Sequence, residues 1–207
     1  MTASGDETVD DEDLTAEDRV ALSWAVSSEH PLGAAIVARI RAGGTGVTSS
    51  ELASIQQYWN DVGRPVPQHH VHRTRVSFDD GTAVVGVSFA ADDPYQRDAA
   101  PAFGLYLDER WDPPWPHAHI EWPDFGVPAD VPKLRRALLD VLTRARAGET
   151  VELGCLGGHG RTGTALACLA VLTGTPSDRA VEWVREHYCA RAVETDEQHA
   201  FVRAFAP

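Results

Sequence analysis

From residue 15 to 42 apolar positions recur at helical spacing, and Gly43-Gly44-Thr45-Gly46 breaks the run. Ser49-Ser50-Glu51 then predicts a helix start for a segment ending near Gly63, and Pro65-Val66-Pro67 predicts a bend. Strand-like alternation takes over at about 73–78, 82–90 and 103–110, with Asp79-Asp80-Gly81 as a hairpin turn between the first two. Val131 to Arg146 returns to the helical period, with Leu134, Leu138, Val141 and Leu142 on one face. Thr150-Val151-Glu152-Leu153 alternates like a short strand, and Thr164 to Leu172 is long and apolar enough for a buried helix. Pro176 to Tyr188 and Thr195 to Phe205 add two more helices. Helices surrounding a sheet predict an α/β layered domain with no internal repeat.

Between the strand near 150–153 and the helix after it lies Cys155-Leu156-Gly157-Gly158-His159-Gly160-Arg161-Thr162-Gly163, which sets a cysteine and an arginine at the two ends of a glycine-rich loop. Glycines at 157, 158 and 160 permit the φ angles and close approach by which the N–H groups of residues 156 to 161 converge on an anion. The positive end of the helix beginning near Arg161 and the planar guanidinium of Arg161 add to that attraction, and both favour a thiolate at Cys155. The loop thus reads as a phosphate cradle with a nucleophile in its floor, and Leu156, Gly157, Gly158, His159, Gly160 and Arg161 as its phosphate-binding residues.

Cys-x5-Arg followed by Thr-Gly resembles the signature of the protein tyrosine phosphatase superfamily. Trp122-Pro123-Asp124-Phe125-Gly126-Val127-Pro128, about 30 residues before the cysteine, is similar to the family's mobile acid loop, and Glu194-Thr195-Asp196-Glu197-Gln198 to the loop whose glutamine positions water. The resemblance covers roughly residues 80 to 205 and implies a central mixed sheet flanked by helices. It also implies roles: Cys155 as nucleophile, Arg161 as phosphate clamp, Asp124 as general acid and then base, and Gln198 as the residue orienting the hydrolytic water. Thr162, directly after Arg161, is placed to hydrogen-bond the departing thiolate. The expected reaction is hydrolysis of phosphotyrosine through a cysteinyl-phosphate. Dual-specificity, phosphoinositide or small-phosphoester hydrolysis is the first alternative, and a catalytically weak phosphate-binding module is the alternative of another class. One departure stands out: the family's usual histidine before the cysteine is Gly154 here. His159 inside the loop either compensates or faces the entrance to contact substrate. Tyr58, Tyr95, Trp111 and Trp115 are candidates for an aromatic pocket wall.

Other readings of these residues fall away. Gly158-His159-Gly160-Arg161-Thr162-Gly163 matches a dinucleotide-binding pattern, but Glu182, at the position of the required acidic residue, sits in a helical pattern and too little chain follows. No lysine follows the last glycine as a Walker loop demands. His69, His70 and His72, and His117 and His119, lack a cysteine or acidic partner at familiar zinc spacing, so no metal and no cofactor are expected. His117 and His119 instead fit the strand that delivers the acid loop. Cys168 and Cys189 read as small core residues; an exposed thiolate at Cys155 is oxidisable, and the sequence assigns neither of them as its resolving partner.

With 207 residues and 43 % hydrophobic content the chain can bury a substantial core. Of the net charge of −13, eight negative charges fall before the first basic residue, Arg19, which leaves −5 for the remainder. Residues 1–14 accordingly read as an acidic, disordered leader, and 15–207 as one phosphatase-like domain whose first part, 15–70, is mainly helical and unassigned. An acidic leader is neither a secretory signal nor a transit peptide, no apolar run approaches the length of a membrane span, and three cysteines suit a reducing cytoplasm. The expected partner is a phosphorylated protein or small phosphoester, with neither nucleic acid nor membrane. A single lysine, Lys133, among many arginines and alanines hints at a GC-rich bacterial source.

Overall fold

The computed structural model describes residues 7–9, 13–15, 17–18, 21–22, 25, 31–41, 46–62, 72–89 and 94–206. The chain forms two compact units, Met1–His69 and His70–Pro207. The predicted break at Gly43-Gly44-Thr45, the bend at Pro65-Val66-Pro67 and the histidines His69 and His70 lie outside the described residues.

In the first unit β1 (Thr8–Val9) pairs antiparallel with β2 (Val47–Thr48), so part of the stretch expected to be a disordered leader is a strand. Helix α1 spans Pro31–Arg41 and α2 spans Ser49–Asp61. Thr48 caps α2 through a capping box: its hydroxyl accepts the Glu51 N–H while the Glu51 carboxylate accepts the Thr48 N–H. Arg39 holds the same carboxylate at 2.7 Å. Ala21, Ala25, Ile36, Val47, Ile55 and Trp59 form the buried core of this unit.

The second unit is built on a five-stranded mixed sheet in the order β3-β4-β7-β5-β6. Its strands are β3 (Arg73–Ser77), β4 (Ala83–Ser88), β5 (Phe103–Tyr106), β6 (His117–His119) and β7 (Val151–Cys155). Only β3 runs antiparallel, joined to β4 by the predicted hairpin, where Gly81 takes φ 83° as the turn requires. Helices α3 (Val131–Arg146), α4 (Gly160–Leu172), α5 (Ala180–His187) and α6 (Asp196–Ala204) complete the unit. The predicted face of α3, Leu134, Leu138, Val141 and Leu142, is fully buried. It shares one core with Val84, Leu105, Leu153 and the apolar α4.

Strand alternation sends the neighbouring residues the other way. Val87, Phe89, Tyr106 and Trp115 form a second cluster, with Val85, Tyr95 and Trp111 packed against it. Tyr95, Trp111 and Trp115 were candidates for a substrate-pocket wall, and they are instead internal aromatic packing: Phe89 stacks on Trp111 with centroids 4.4 Å apart, and Trp115 donates its indole N–H to the Tyr106 hydroxyl at 2.6 Å. The other candidate, Tyr58, is half exposed on α2 of the first unit. Beneath the second cluster a buried ion pair, Arg97 with Glu152 at 2.6 Å, anchors β7, and Arg97 lies over the Trp115 ring. An isolated carboxylate at Glu152 would be costly there, and the bidentate guanidinium compensates it.

Gly154, where the family resemblance leads one to expect histidine, has a steric explanation. It lies in the central strand between Val87 and Tyr106. A Cβ at this position would come within 2.4 Å of Val87 Cγ2 and 2.8 Å of the Val87 carbonyl oxygen. The neighbouring strand fills the space a side chain would need. Gly154→Ala is therefore expected to lower unfolding free energy by roughly 1–3 kcal/mol through overpacking, and Gly154→His by more; denaturant titration of both variants checks the order.

Candidate active site

Cys155 ends β7 at the carboxyl edge of the sheet, 3 % exposed, and its Sγ accepts a hydrogen bond from the fully buried Thr162 hydroxyl at 3.0 Å. The loop after it turns carbonyls onto the surrounding scaffold. Leu156 O accepts the Phe89 N–H at 2.9 Å, Gly158 O the Tyr188 hydroxyl at 2.7 Å, His159 O the Gly163 N–H at 2.8 Å, and Gly160 O the Thr164 hydroxyl at 2.7 Å. Planar trans peptides then send the N–H groups of Gly157 and His159 the opposite way. Burial, with Cys155 and Cys189 nearby, pushes the Tyr188 hydroxyl well up, so it remains a donor. Gly158 takes φ 74°, a left-handed conformation that suits glycine.

Arg161 stands in the first turn of α4, 5 % exposed. One terminal nitrogen donates to Leu107 O at 3.0 Å and Trp122 O at 3.2 Å and lies 3.3 Å from Asp108 Oδ2; the other meets Asp124 Oδ1 at 3.2 Å. Its Nε is buried with no protein partner, a donor left over for an anion. Burial opposes the charge, but Asp124, Cys155, Asp108 and Glu194 around it hold the guanidinium more firmly protonated than usual. The acid loop is thus drawn onto the cysteine loop. Trp122 anchors it, buried, with its indole N–H donating to Gly126 O at 2.9 Å, and Phe125 takes φ 57° between them.

Gln198 is fully buried in the first turn of α6. Its Nε2 donates to Gly126 O at 3.2 Å and its Oε1 accepts the Glu194 N–H at 2.9 Å. Thr195 donates to Phe125 O at 3.1 Å. The Glu194–Gln198 segment therefore clasps the acid loop. His159 does not face the entrance: it is 6 % exposed, and its Nδ1 lies 3.1 Å from His72 Nε2 and 3.5 Å from Cys189 Sγ. Cys168 is buried inside α4, where burial pushes its thiol up.

Two further acidic groups stand at the site, Asp108 outside any sequence motif and Glu194 at the start of the glutamine segment. Asp108 follows β5 and is forked by Arg110 at 2.9 and 2.8 Å while facing Arg161; burial pushes its carboxyl up, against the pull of Arg161. The signal available in the sequence was its place immediately after the apolar run Phe103-Gly104-Leu105-Tyr106-Leu107, beyond the carboxyl end of a strand that neighbours β7. Glu194 reaches the cysteine loop because Gly160 has no side chain: a Cβ there would meet Glu194 Oε2 at 2.4 Å. Burial first, and Asp124 second, push the Glu194 carboxyl up to about 7, although Arg191, Arg161 and the Gly160 N–H act the other way.

Residues 127–207 match the family description "Swiss Army Knife protein, DSP-PTPase phosphatase domain". The uncharacterized protein MJECL20 of Methanocaldococcus jannaschii is 37 % identical over 111 residues, which cover 49 % of this chain and 74 % of MJECL20. The chain belongs to one family with MJECL20, and its matched segment is similar to a phosphatase domain. A second protein of that organism, MJ0215, is 37 % identical over 108 residues, 47 % of this chain and 66 % of the relative. Among solved structures, Tk-PTP in its active form is 28 % identical with a TM-score of 0.46, covering 51 % of this chain and 78 % of its own. PTPMT1 in complex with PI(5)P is 14 % identical with a TM-score of 0.45, covering 51 % and 76 %. Both sequence relatives are archaeal, so they lend no support to the bacterial source read from composition. No helix among the described residues is long and apolar enough to cross a membrane.

Glu194 gives the site a pH signature. The unfolded chain releases this proton near 4.5 and the folded chain near 7, so between those values the folded state binds more protons and stability falls as pH rises. The loss amounts to roughly 3 kcal/mol at most. Glu194→Gln keeps an acceptor for Gly160 and is expected to flatten the dependence, as read by melting temperature from pH 4 to 8.

Proposed function

We propose that this phosphatase hydrolyses phosphomonoesters, phosphotyrosine among them, through a cysteinyl-phosphate on Cys155. The observation that carries the reading is the buried Arg161: its terminal nitrogens are taken by protein groups, its Nε is left unpartnered, and Cys155 lies beside it. In the first step Cys155 Sγ attacks phosphorus, the bond to the ester oxygen breaks, and Asp124 gives that oxygen a proton. Arg161 and the inward N–H groups bind the equatorial oxygens, whose charge must be held throughout. In the second step water attacks the phosphorus, Asp124 takes its proton, and the sulfur leaves as a thiolate that receives the Thr162 hydrogen bond. Gln198 acts in this scheme by fixing the acid loop, and orienting the water requires it to release Gly126 or Glu194. No metal is needed for either step.

A second reading, dual-specificity or small-phosphoester hydrolysis, is favoured by the internal packing of Tyr95, Trp111 and Trp115, which removes the residues expected to wall a deep phosphotyrosine pocket. Rates on phosphotyrosine, phosphoserine and phosphoinositide substrates separate the two.

Cys155→Ser is expected to abolish turnover of an aryl phosphate and a phosphotyrosine peptide while retaining oxyanion binding. Asp124→Ala is expected to lower kcat roughly 10²–10⁴-fold, with a smaller loss for leaving groups of low pKa. Full turnover by Cys155→Ser would overturn the mechanism, and an inactive wild type that still binds phosphopeptide would favour a binding module.

A further inference from the structure

At the cysteine loop three metal-ligating side chains converge from distant parts of the chain: His72 ahead of β3, His159 within the loop and Cys189 after α5. The proposed phosphatase chemistry uses none of these three ligand atoms. His72 Nε2, His159 Nδ1 and Cys189 Sγ all lie within 4.8 Å of one another, with 3.1 Å between the two nitrogens and 3.5 Å between His159 Nδ1 and the sulfur. Both histidines are buried, at 4 % and 6 % exposure, and Cys189 is half-buried.

An imidazole nitrogen has one in-plane valence, holding either a hydrogen or a lone pair. His159 Nδ1 faces both His72 Nε2 and Cys189 Sγ, so one proton cannot serve both contacts with good geometry. A cation among the three atoms can. Zinc bonds of about 2.0–2.1 Å to nitrogen and 2.3 Å to sulfur, at tetrahedral angles, set ligand nitrogens about 3.3 Å apart and nitrogen and sulfur about 3.6 Å apart. The observed spacings approach both values, and the imidazole and thiolate donor set suits zinc. The backbone holds the ligands in place. Ser88 accepts the His72 N–H through its hydroxyl at 2.9 Å and donates its own N–H to His72 O at 3.0 Å, while Ala192 N–H binds Cys189 O at 2.9 Å.

The geometry points to a zinc site formed by His72, His159 and Cys189, with an open fourth position for water, that pins the cysteine loop. The imidazoles bind as neutral donors through the named nitrogens. The Cys189 thiol gives one proton to solvent as the Zn–S bond forms, and nothing is oxidised or reduced. The ion then fixes His159, two residues before Arg161, to the segment ahead of β3 and the segment after α5, and leaves net positive charge beside the proposed anion-binding loop.

The test is independent of turnover. Chelator-treated full-length protein is titrated with Zn²⁺ alone by calorimetry and with Co²⁺ alone by absorption. One equivalent is expected, with a thiolate-to-cobalt charge-transfer band that survives Cys155→Ser and is lost in Cys189→Ser; His72→Gln should bind at least tenfold more weakly. Because a variant in this packed region can fail to fold, wild type supplies a second measurement: Zn²⁺ should protect Cys189 from alkylation, read by peptide mass spectrometry. Absence of the band in wild type, its persistence in Cys189→Ser, or equal labelling of Cys189 with and without zinc would each overturn the site. Loss of phosphatase activity with zinc binding intact would bear on the proposed reaction alone.

Discussion

A single buried cation organises the catalytic end of this protein. Arg161 is enclosed at 5 % exposure, and such a group is tolerated only where its donors and charge are answered. Four segments answer it: the end of β5 through Leu107 O and Asp108, the acid loop through Trp122 O and Asp124, the floor through Cys155, and the segment before α6 through Glu194. Each of these supplies a carbonyl, carboxylate or thiol, so the arginine draws together groups that would otherwise repel. Under the proposed reaction an incoming phosphate would meet an arginine already oriented, with Nε still to be satisfied.

The same need for order explains the packing around the cysteine. The central strand must bring Cys155 out at the sheet edge while Val87 and Phe89 crowd it from the neighbouring side, and only glycine fits at 154. The function elsewhere given to a histidine before the cysteine has no room here. His72 and Tyr188 pack together with their rings 4.9 Å apart, and Tyr188 fixes the Gly158 carbonyl. The loop is held by side chains from outside it, in place of one from its own strand.

Two buried carboxyls near Arg161 show how burial and charge compete. Asp108 and Glu194 both have proton affinities raised by desolvation, and the arginines beside them act in the opposite direction. Asp124 is half exposed and reaches the guanidinium from the solvent side. Under the proposed reaction that is the side from which the leaving group departs, so the half-exposed carboxylate and the buried ones are distinguished by access to water.

Much of this was written along the chain. The helical face of Leu134, Leu138, Val141 and Leu142, the hairpin at Gly81 and the strand-loop-helix around Cys155 follow from local periodicity and turn chemistry, because each depends on residues close in sequence. The cysteine loop and the acid loop are also contiguous, which made their chemistry legible. What the sequence could not reveal involves partners far apart: Asp108 against Arg161, Gln198 buried beneath the acid loop, the aromatics Tyr95, Trp111 and Trp115 turned inward, and His72, His159 and Cys189 brought together. Those were decided by the tertiary structure alone, since burial and the meeting of side chains from separate strands arise only when the sheet closes over its helices, and no spacing along the chain encodes them.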